Sequence, residues 1–210
     1  VCYFLTHCYF QGVRTYRSQV KTERQDCDSR SLHVWCSRAE AMFPSTSIAL
    51  SGSPGSGKST IAELAKSSGW EVISVEKLAE KHELLGELDK KEQAKEIDIE
   101  KLRQTLGRIN GPLIVDGHLS HYLQVDAIVI LRCKPSILRE RLQQRGYPEW
   151  KIESNVEWEI IGSSWSDVEN ENVAEFETSS SEPHMVWSSI QDWINTGHPT
   201  RKPFIDWMND

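Results

Sequence analysis

The nine residues Gly52-Ser53-Pro54-Gly55-Ser56-Gly57-Lys58-Ser59-Thr60 fit the spacing G-x-x-x-x-G-K-[ST], and that spacing has a definite chemistry. Glycines allow successive backbone N–H groups to turn inward around phosphate oxygens, and the helix that follows adds its positive N-terminal dipole. Gly55, Ser56 and Gly57 make the cradle, Lys58 supplies a mobile charge for β- and γ-phosphates, and the Ser59 hydroxyl is placed to ligate Mg²⁺. A triphosphate held this way needs a second arm. Leu113-Ile114-Val115-Asp116 is an apolar run ending in a carboxylate, and beside a phosphate loop such an Asp holds Mg²⁺ or its water shell. His118 stands two residues on, a candidate for orienting water or substrate near the γ-phosphate. His118 and His121 are three apart with no cysteine nearby, a poor metal pair. A third group of charges is Arg139, Arg141 and Arg145. Arg139 reads as a solvent-facing partner for acids such as Glu140. Arg141 and Arg145 share a helix face next to Gly146-Tyr147-Pro148, a hinge for a short lid, and can neutralise charge spread over a phosphoryl group in flight.

These residues need elements to hold them. Ile48-Ala49-Leu50 before the loop and Ile61-Ala62-Glu63-Leu64-Ala65 after it give strand, loop and helix in the order the motif requires, with strand over 47–51 and helix over 58–68 closed by Gly69. A second strand is predicted over 70–74. From 75 to 108 the chain is charged and helix-prone: residues 78–82, then a Lys/Glu-rich stretch over 87–95, then 98–108 with Ile99, Leu102 and Leu106 on one face. Further strands are expected at 113–116, 127–132 and 173–178. Helices are expected from Pro135, over 149–161, and over 183–195, where Val186, Trp187, Ile190, Trp193 and Ile194 form an apolar stripe. The tail, 196–210, is too short for a domain; it either packs back on the body or meets a partner.

Composition narrows the class. The chain has 210 residues, enough for one domain with a full core; 38% are hydrophobic, 26% are charged, and no apolar run approaches the roughly 18 residues of a membrane span. A net charge of −7 argues against a broad nucleic-acid surface, and no sequence-specific nucleic-acid binding is expected. Residues 1–41 differ from the rest, with four of the five cysteines and six Lys/Arg against four Asp/Glu, leaving 18 against 27 for the body. They lack the uninterrupted apolar core of a secretory signal, and C-x₅-C and C-x₈-C are not zinc-module spacings. Met42 stands just before the first strand, so the expectation is that it is the start and that 1–41 is upstream sequence or a disordered extension. Cys133 alone in the body fits a reducing, cytoplasmic compartment.

Taken together, the loop, Val115-Asp116-Gly117-His118-Leu119-Ser120-His121-Tyr122-Leu123 with Val125-Asp126, Leu131-Arg132, Glu140-Arg141-Leu142 with Arg145-Gly146-Tyr147, and Lys151-Ile152-Glu153-Ser154-Asn155-Val156-Glu157 resemble the adenylate kinase isoenzyme six family over about 47–195. The Asp-x-His step is that family's mark. The resemblance implies an α/β, three-layer phosphate-loop NTPase fold of nucleoside monophosphate kinase type, with about five parallel strands and helices on both faces. It implies Mg²⁺-dependent transfer of the ATP γ-phosphoryl to AMP or another nucleoside monophosphate, together with ATP hydrolysis. Carried over by position, Gly55, Gly57, Lys58, Ser59 and Thr60 bind ATP, Asp116 and His118 form the metal-side step, and Arg145 contacts ATP from a lid at about 144–154. The acceptor-binding segment would be about 74–95, within a kinase domain spanning 42–195. Family partners are ribosomal protein uS11 and the small-subunit precursor particle; the location would be cytoplasmic, or nuclear for a eukaryotic source. At Glu76-Lys77-Leu78 the chain has Lys where the family commonly has Asp, which bears on the choice of acceptor.

Two readings from different classes remain: a nucleoside monophosphate kinase, and an assembly ATPase whose turnover drives association with uS11. A small-metabolite kinase would share the loop but needs a substrate-binding Asp/Arg set after the second strand, which the sequence lacks there.

Overall fold

The computed structural model describes residues 45–89, 94–166, 168 and 172–208; the expected N-terminal extension, 1–41, lies outside them. Five strands form one parallel sheet: β1 (Ser47–Gly52), β2 (Glu71–Ser74), β5 (Leu113–Asp116), β6 (Ala127–Arg132) and β7 (Val173–Glu177), in the spatial order β2-β5-β1-β6-β7. Parallel neighbours cannot be joined by tight turns, so each link crosses over through a helix or loop. With β1 central and its successors laid on either side, the carboxyl ends of β1 and β5 open into one crevice. In such sheets that is where ligands are held.

Alternation along each strand explains why both faces are covered. Ile48 and Leu50 of β1, Val129 and Leu131 of β6 and Phe176 of β7 point to a core shared with α1 (Lys58–Ser67) and with α7 (Pro183–Asn195), whose Val186, Trp187, Ile190, Trp193 and Ile194 are all buried. Their strand neighbours Ala49, Ile128 and Ile130, with Val115 of β5, face the opposite core, under α2 (Val75–Lys81) and α3 (Ile99–Leu106). The layers are therefore helix, sheet, helix, as expected. A third cluster joins α4 (Pro135–Gln144) to α5 (Glu149–Ile160) through Leu138, Leu142, Ile152 and Val156, with Cys133 at its edge. A four-residue helix, α6 (Ser163–Ser166), leads toward β7.

One expectation fails. The described parts of the stretch 87–95, residues 87–89 and 94–95, are strand and not helix: β3 (Leu85–Asp89) pairs antiparallel with β4 (Ala94–Ile97), Leu85 opposite Ile97 and Leu88 opposite Lys95, while residues 90–93 lie outside the described ones. The reason is physical. Glu and Lys favour helix by only tenths of a kcal/mol per residue, and a short helix survives by burying an apolar face. Within 87–95 the apolar residues are Leu88 and Ala94 alone. The hairpin is instead anchored at its base, where Leu84, Leu85, Ile97 and Ile99 pack on the α2/α3 core.

Candidate active site

The loop between β1 and α1 takes its shape from glycine. At Gly52 (φ 136°) a Cβ would sit 2.3 Å from the Leu131 carbonyl oxygen, and Gly57 (φ 96°) is the left-handed residue from which α1 starts. Thr60 and Ile61 both donate their N–H groups to the Gly57 carbonyl. That leaves the first amides of α1, at Lys58 and Ser59, at the open N-terminus of the helix. Ser59 and Thr60 are exposed on this first turn.

The back of the loop is held at several points. Ser53 Oγ donates to Glu159 Oε2 at 2.6 Å, Arg141 Nη1 to the Gly55 carbonyl at 3.3 Å, and Thr178 Oγ1 to the Ser56 carbonyl at 2.8 Å. Arg141 Nη2 also bonds the Thr178 carbonyl at 3.0 Å. Its guanidinium thus joins the loop to the segment after β7, so two of its donors are committed to backbone. Lys58 folds over the loop itself, Nζ donating to the carbonyls of Gly52 (2.7 Å) and Ser53 (2.9 Å). Desolvation brings its pKa down from 10.5 to about 8; Asp116 opposes that shift, Arg145 adds to it, and Glu159 opposes it. A lysine in this condition is ready to gain an anionic partner.

Asp116 ends β5 opposite Leu50 of β1 and Ser74 of β2. Burial raises its pKa, with Lys58 and then Lys66 pulling the other way, and among the described residues its Oδ1 is buried without a hydrogen-bond partner. Ser56 Oγ, inside the loop, is likewise unpartnered. Unsatisfied buried oxygens at a cleft are what a bound cation or donor would complete. Mg²⁺ takes one or two carboxylates plus phosphate oxygens and water, so the oxygen donors Asp116 and Ser59 fit it. Among the described residues no group of three or more His, Cys, Asp or Glu could hold a metal.

His118 lies on the exposed turn after β5. Desolvation, followed by the charges of Lys58, His121 and Lys151, lowers its pKa to about 4, so the imidazole is neutral near pH 7. His121 is a packing residue: its Nδ1 is 2.7 Å from Ser51 Oγ, and its ring stacks on Tyr122. Ser51 also donates to the His118 carbonyl at 3.1 Å, which pins the turn to β1.

Arg145 caps α4 and is exposed; with Arg141, Thr178, Ser181, Pro183 and Val186 it lines a cleft of about 210 Å³ beside Gly55, Gly57 and Thr60. The segment expected to form a lid is compact here, a turn through Gly146 to Pro148 followed by α5. Arg139 pairs across to α5, with Glu153 at 2.6 and 2.8 Å and Glu149 at 3.2 Å, rather than with Glu140. On the other side of Asp116, Ser74 caps α2 by accepting from Lys77 N, and the β3–β4 hairpin stands out with most of its residues exposed.

Sequence reasoning misses Arg132, Glu159 and Thr178 as residues that shape the loop. Signals were present for two of them. Arg132 closes an otherwise apolar buried strand, and Glu159 follows Ile152 and Val156 at helical spacing on a buried face. Ionic groups in such positions need partners. They find each other, Arg132 Nε donating to Glu159 Oε1 at 2.7 Å. Thr178 carried no comparable mark.

Residues 48–162 match the AAA domain family. The chain is similar to a protein named "Putative adenylate kinase" from Thermococcus kodakarensis, 40% identical over 166 residues that cover 76% of this chain and 92% of that one. Proteins of the same name from Archaeoglobus fulgidus (36% over 169 residues, 78% and 92% covered) and Methanocaldococcus jannaschii (34% over 164 residues, 76% and 92%) are similar over much the same length. Among solved structures, shikimate kinase from Acinetobacter baumannii in complex with shikimate shares the fold, with a TM-score of 0.52 at 16% identity over 76% of this chain and 98% of that one.

Proposed function

The chain belongs to the family of these archaeal adenylate-kinase relatives, and from that premise we propose that it transfers the γ-phosphoryl group of ATP to AMP, with tolerance for other nucleoside monophosphates. The observation that carries the reading is Lys58: its ammonium is held on the loop's own carbonyls, desolvated, and within the electrostatic reach of Asp116 and Arg145. In the reaction the bond between the γ-phosphorus and the ADP oxygen breaks while a bond to an AMP phosphate oxygen forms. No general base is required, because the acceptor phosphate is already anionic; positioning and charge neutralisation are what the protein supplies.

In this reading the amides of the loop and first helical turn, Gly55 to Thr60, take the β- and γ-phosphates, and Lys58 moves from its carbonyl perch onto them. Arg145 reaches in from the lid rim as negative charge spreads over the moving group. Arg141 acts on the loop's shape through Gly55. Asp116 and the Ser59 hydroxyl would hold Mg²⁺, which when bound supplies charge neutralisation between the phosphates. The acceptor lies toward α2 and the β3–β4 hairpin. The test is ADP formation from Mg-ATP by the purified chain: AMP should raise the rate strongly, and a rate indifferent to AMP removes the kinase reading.

His118 favours a second activity. A neutral imidazole beside the metal-side Asp, where an aromatic ring would be inert, can accept a hydrogen bond from water and orient it toward the γ-phosphate. ATP hydrolysis, and an assembly role with ribosomal protein uS11 and the small-subunit precursor, follow from the family resemblance on this reading. If AMP only inhibits while uS11 changes ATP turnover, the assembly ATPase is the correct function.

A further inference from the structure

Behind the phosphate loop lies a polar cluster that faces away from the reacting groups. The side chains of Arg132, Glu159 and Glu175 are 3%, 2% and 0% exposed, one guanidinium between two carboxylates. At such burial every carboxylate oxygen needs a donor. Arg132 gives Nε to Glu159 and Nη1 to Glu175 (3.1 Å), its Nη2 bonds the Glu159 carbonyl (2.8 Å), and the Cys133 amide and Trp165 indole add one bond each. The tail supplies further donors. Glu175 Oε1 accepts the backbone N–H groups of Phe204 and Ile205, the second at 2.7 Å, and the Trp207 indole reaches Glu159 Oε1 at 3.3 Å. The tail is guided there by Trp193 Nε1 donating to the Pro199 carbonyl and by Arg201 N donating to the Val173 carbonyl, both at 2.8 Å. On the opposite side of the cluster, Glu159 Oε2 takes the hydroxyl of Ser53, the second residue of the loop.

Hydrogen bonds thus run without a gap from the C-terminal segment, through two acids and an arginine, to the phosphate loop. We propose that residues 204–207 form a strap that positions this loop, with Glu159 as the positioning residue through which it acts; the proposal rests on the reading of the loop as the ATP site. Without the strap, Glu175 Oε1 loses both of its N–H donors and Arg132 is shared anew between the acids as water enters. Glu159 is then no longer fixed beneath Ser53. A loop that must be ordered by its ligand binds it less tightly than one ordered beforehand. The effect falls on the donor nucleotide, because the acceptor side, α2 and the hairpin, makes none of these bonds.

The test compares the full chain with a chain ending at Pro203, with Trp207→Phe, which keeps the tail's backbone donors and deletes one indole N–H, and with Ser53→Ala alone and in the shortened chain. Two readouts are needed: affinity for a non-hydrolysable ATP analogue, and amide hydrogen exchange of residues 53–59 without nucleotide. Expected are about tenfold weaker analogue binding on shortening, a smaller loss in the same direction for Trp207→Phe, faster loop exchange in both, and an unchanged KM for AMP. Shortening should add nothing once Ser53 is Ala, since both act through one bond. Unchanged analogue affinity and loop exchange in the shortened chain overturn the strap, as do effects of shortening and Ser53→Ala that multiply. If the full chain binds no ATP analogue, the ATP-site reading fails separately, and loop exchange by itself decides the strap.

Discussion

The two sides of the crevice are built by opposite means. On the donor side, Gly52, Ser53, Gly55 and Ser56 each meet a partner from behind or from Lys58, and those partners belong to α1, α4, α5 and the segment after β7. The side to which we assign the acceptor rises from the same sheet, yet β3 is exposed along its length after Leu85, and Leu88 is 58% exposed. A loop braced by buried polar groups has one shape, which suits a ligand whose phosphates are invariant. A two-stranded hairpin with its apolar contacts confined to the base belongs to the low-stability end of a structure and can adapt. Under the function proposed above, the molecule invests its order in the common part of the chemistry and leaves adaptability to the part that would select the acceptor.

Breaking the brace should have the largest effect. Arg132→Leu leaves Glu159 and Glu175 buried without their cation, and we expect a loss of about 3–5 kcal/mol in denaturant unfolding. A loss under about 1 kcal/mol would show that the network is not a brace. Next comes Lys58→Ala: turnover should fall roughly 10²–10³-fold, as when a single charge-stabilising donor is removed elsewhere, with stability changed by no more than about 1.5 kcal/mol, the worth of its bonds to the loop. Parallel loss of fold and rate would make Lys58 a structural residue.

A pH titration sharpens the same contrast with a smaller effect. Lys58 titrates at about 8 in the free protein, and a bound triphosphate raises that value, so the complex holds more protons than its parts above pH 8. Affinity for ATP should therefore be flat below about pH 7 and fall by up to tenfold per unit above about pH 8, with proton uptake seen by calorimetry in buffers of different ionisation enthalpy. Proton release, or flat affinity to pH 9.5, contradicts it. Smallest of all should be Leu88→Ser in the hairpin, which costs under about 0.5 kcal/mol of stability and leaves ATP affinity unchanged while moving the KM for AMP. An equal shift for both nucleotides would erase the distinction between the sides.

How far the sequence carries differs between these sides for the same reason. The parallel strands, the phosphate loop, the start of α4 at Pro135 and the stripe of α7 are written in local patterns: continuous apolar runs, glycine spacing, an N-terminal proline, and apolar residues at helical intervals. Asp116 could be read because a motif elsewhere gave an apolar strand end a meaning. The brace was harder, since Glu159, Arg132 and Ser53 are 27 and 106 residues apart along the chain; Ser53 alone carries no sign of a buried acid behind it. The hairpin was misread because composition suggested helix while the deciding fact was the absence of any apolar face to bury. The tail's partners, backbone N–H groups of Phe204 and Ile205, leave no trace in side-chain identity.

The fate of a label decides between phosphoryl transfer and hydrolysis. With ATP labelled at the γ-phosphate, Mg²⁺, AMP and the purified chain, label should appear in the β-position of newly formed ADP, faster than labelled inorganic phosphate and slowed roughly 10²–10³-fold by Lys58→Ala. Label found only as inorganic phosphate, at a rate that AMP does not raise, would contradict transfer to AMP.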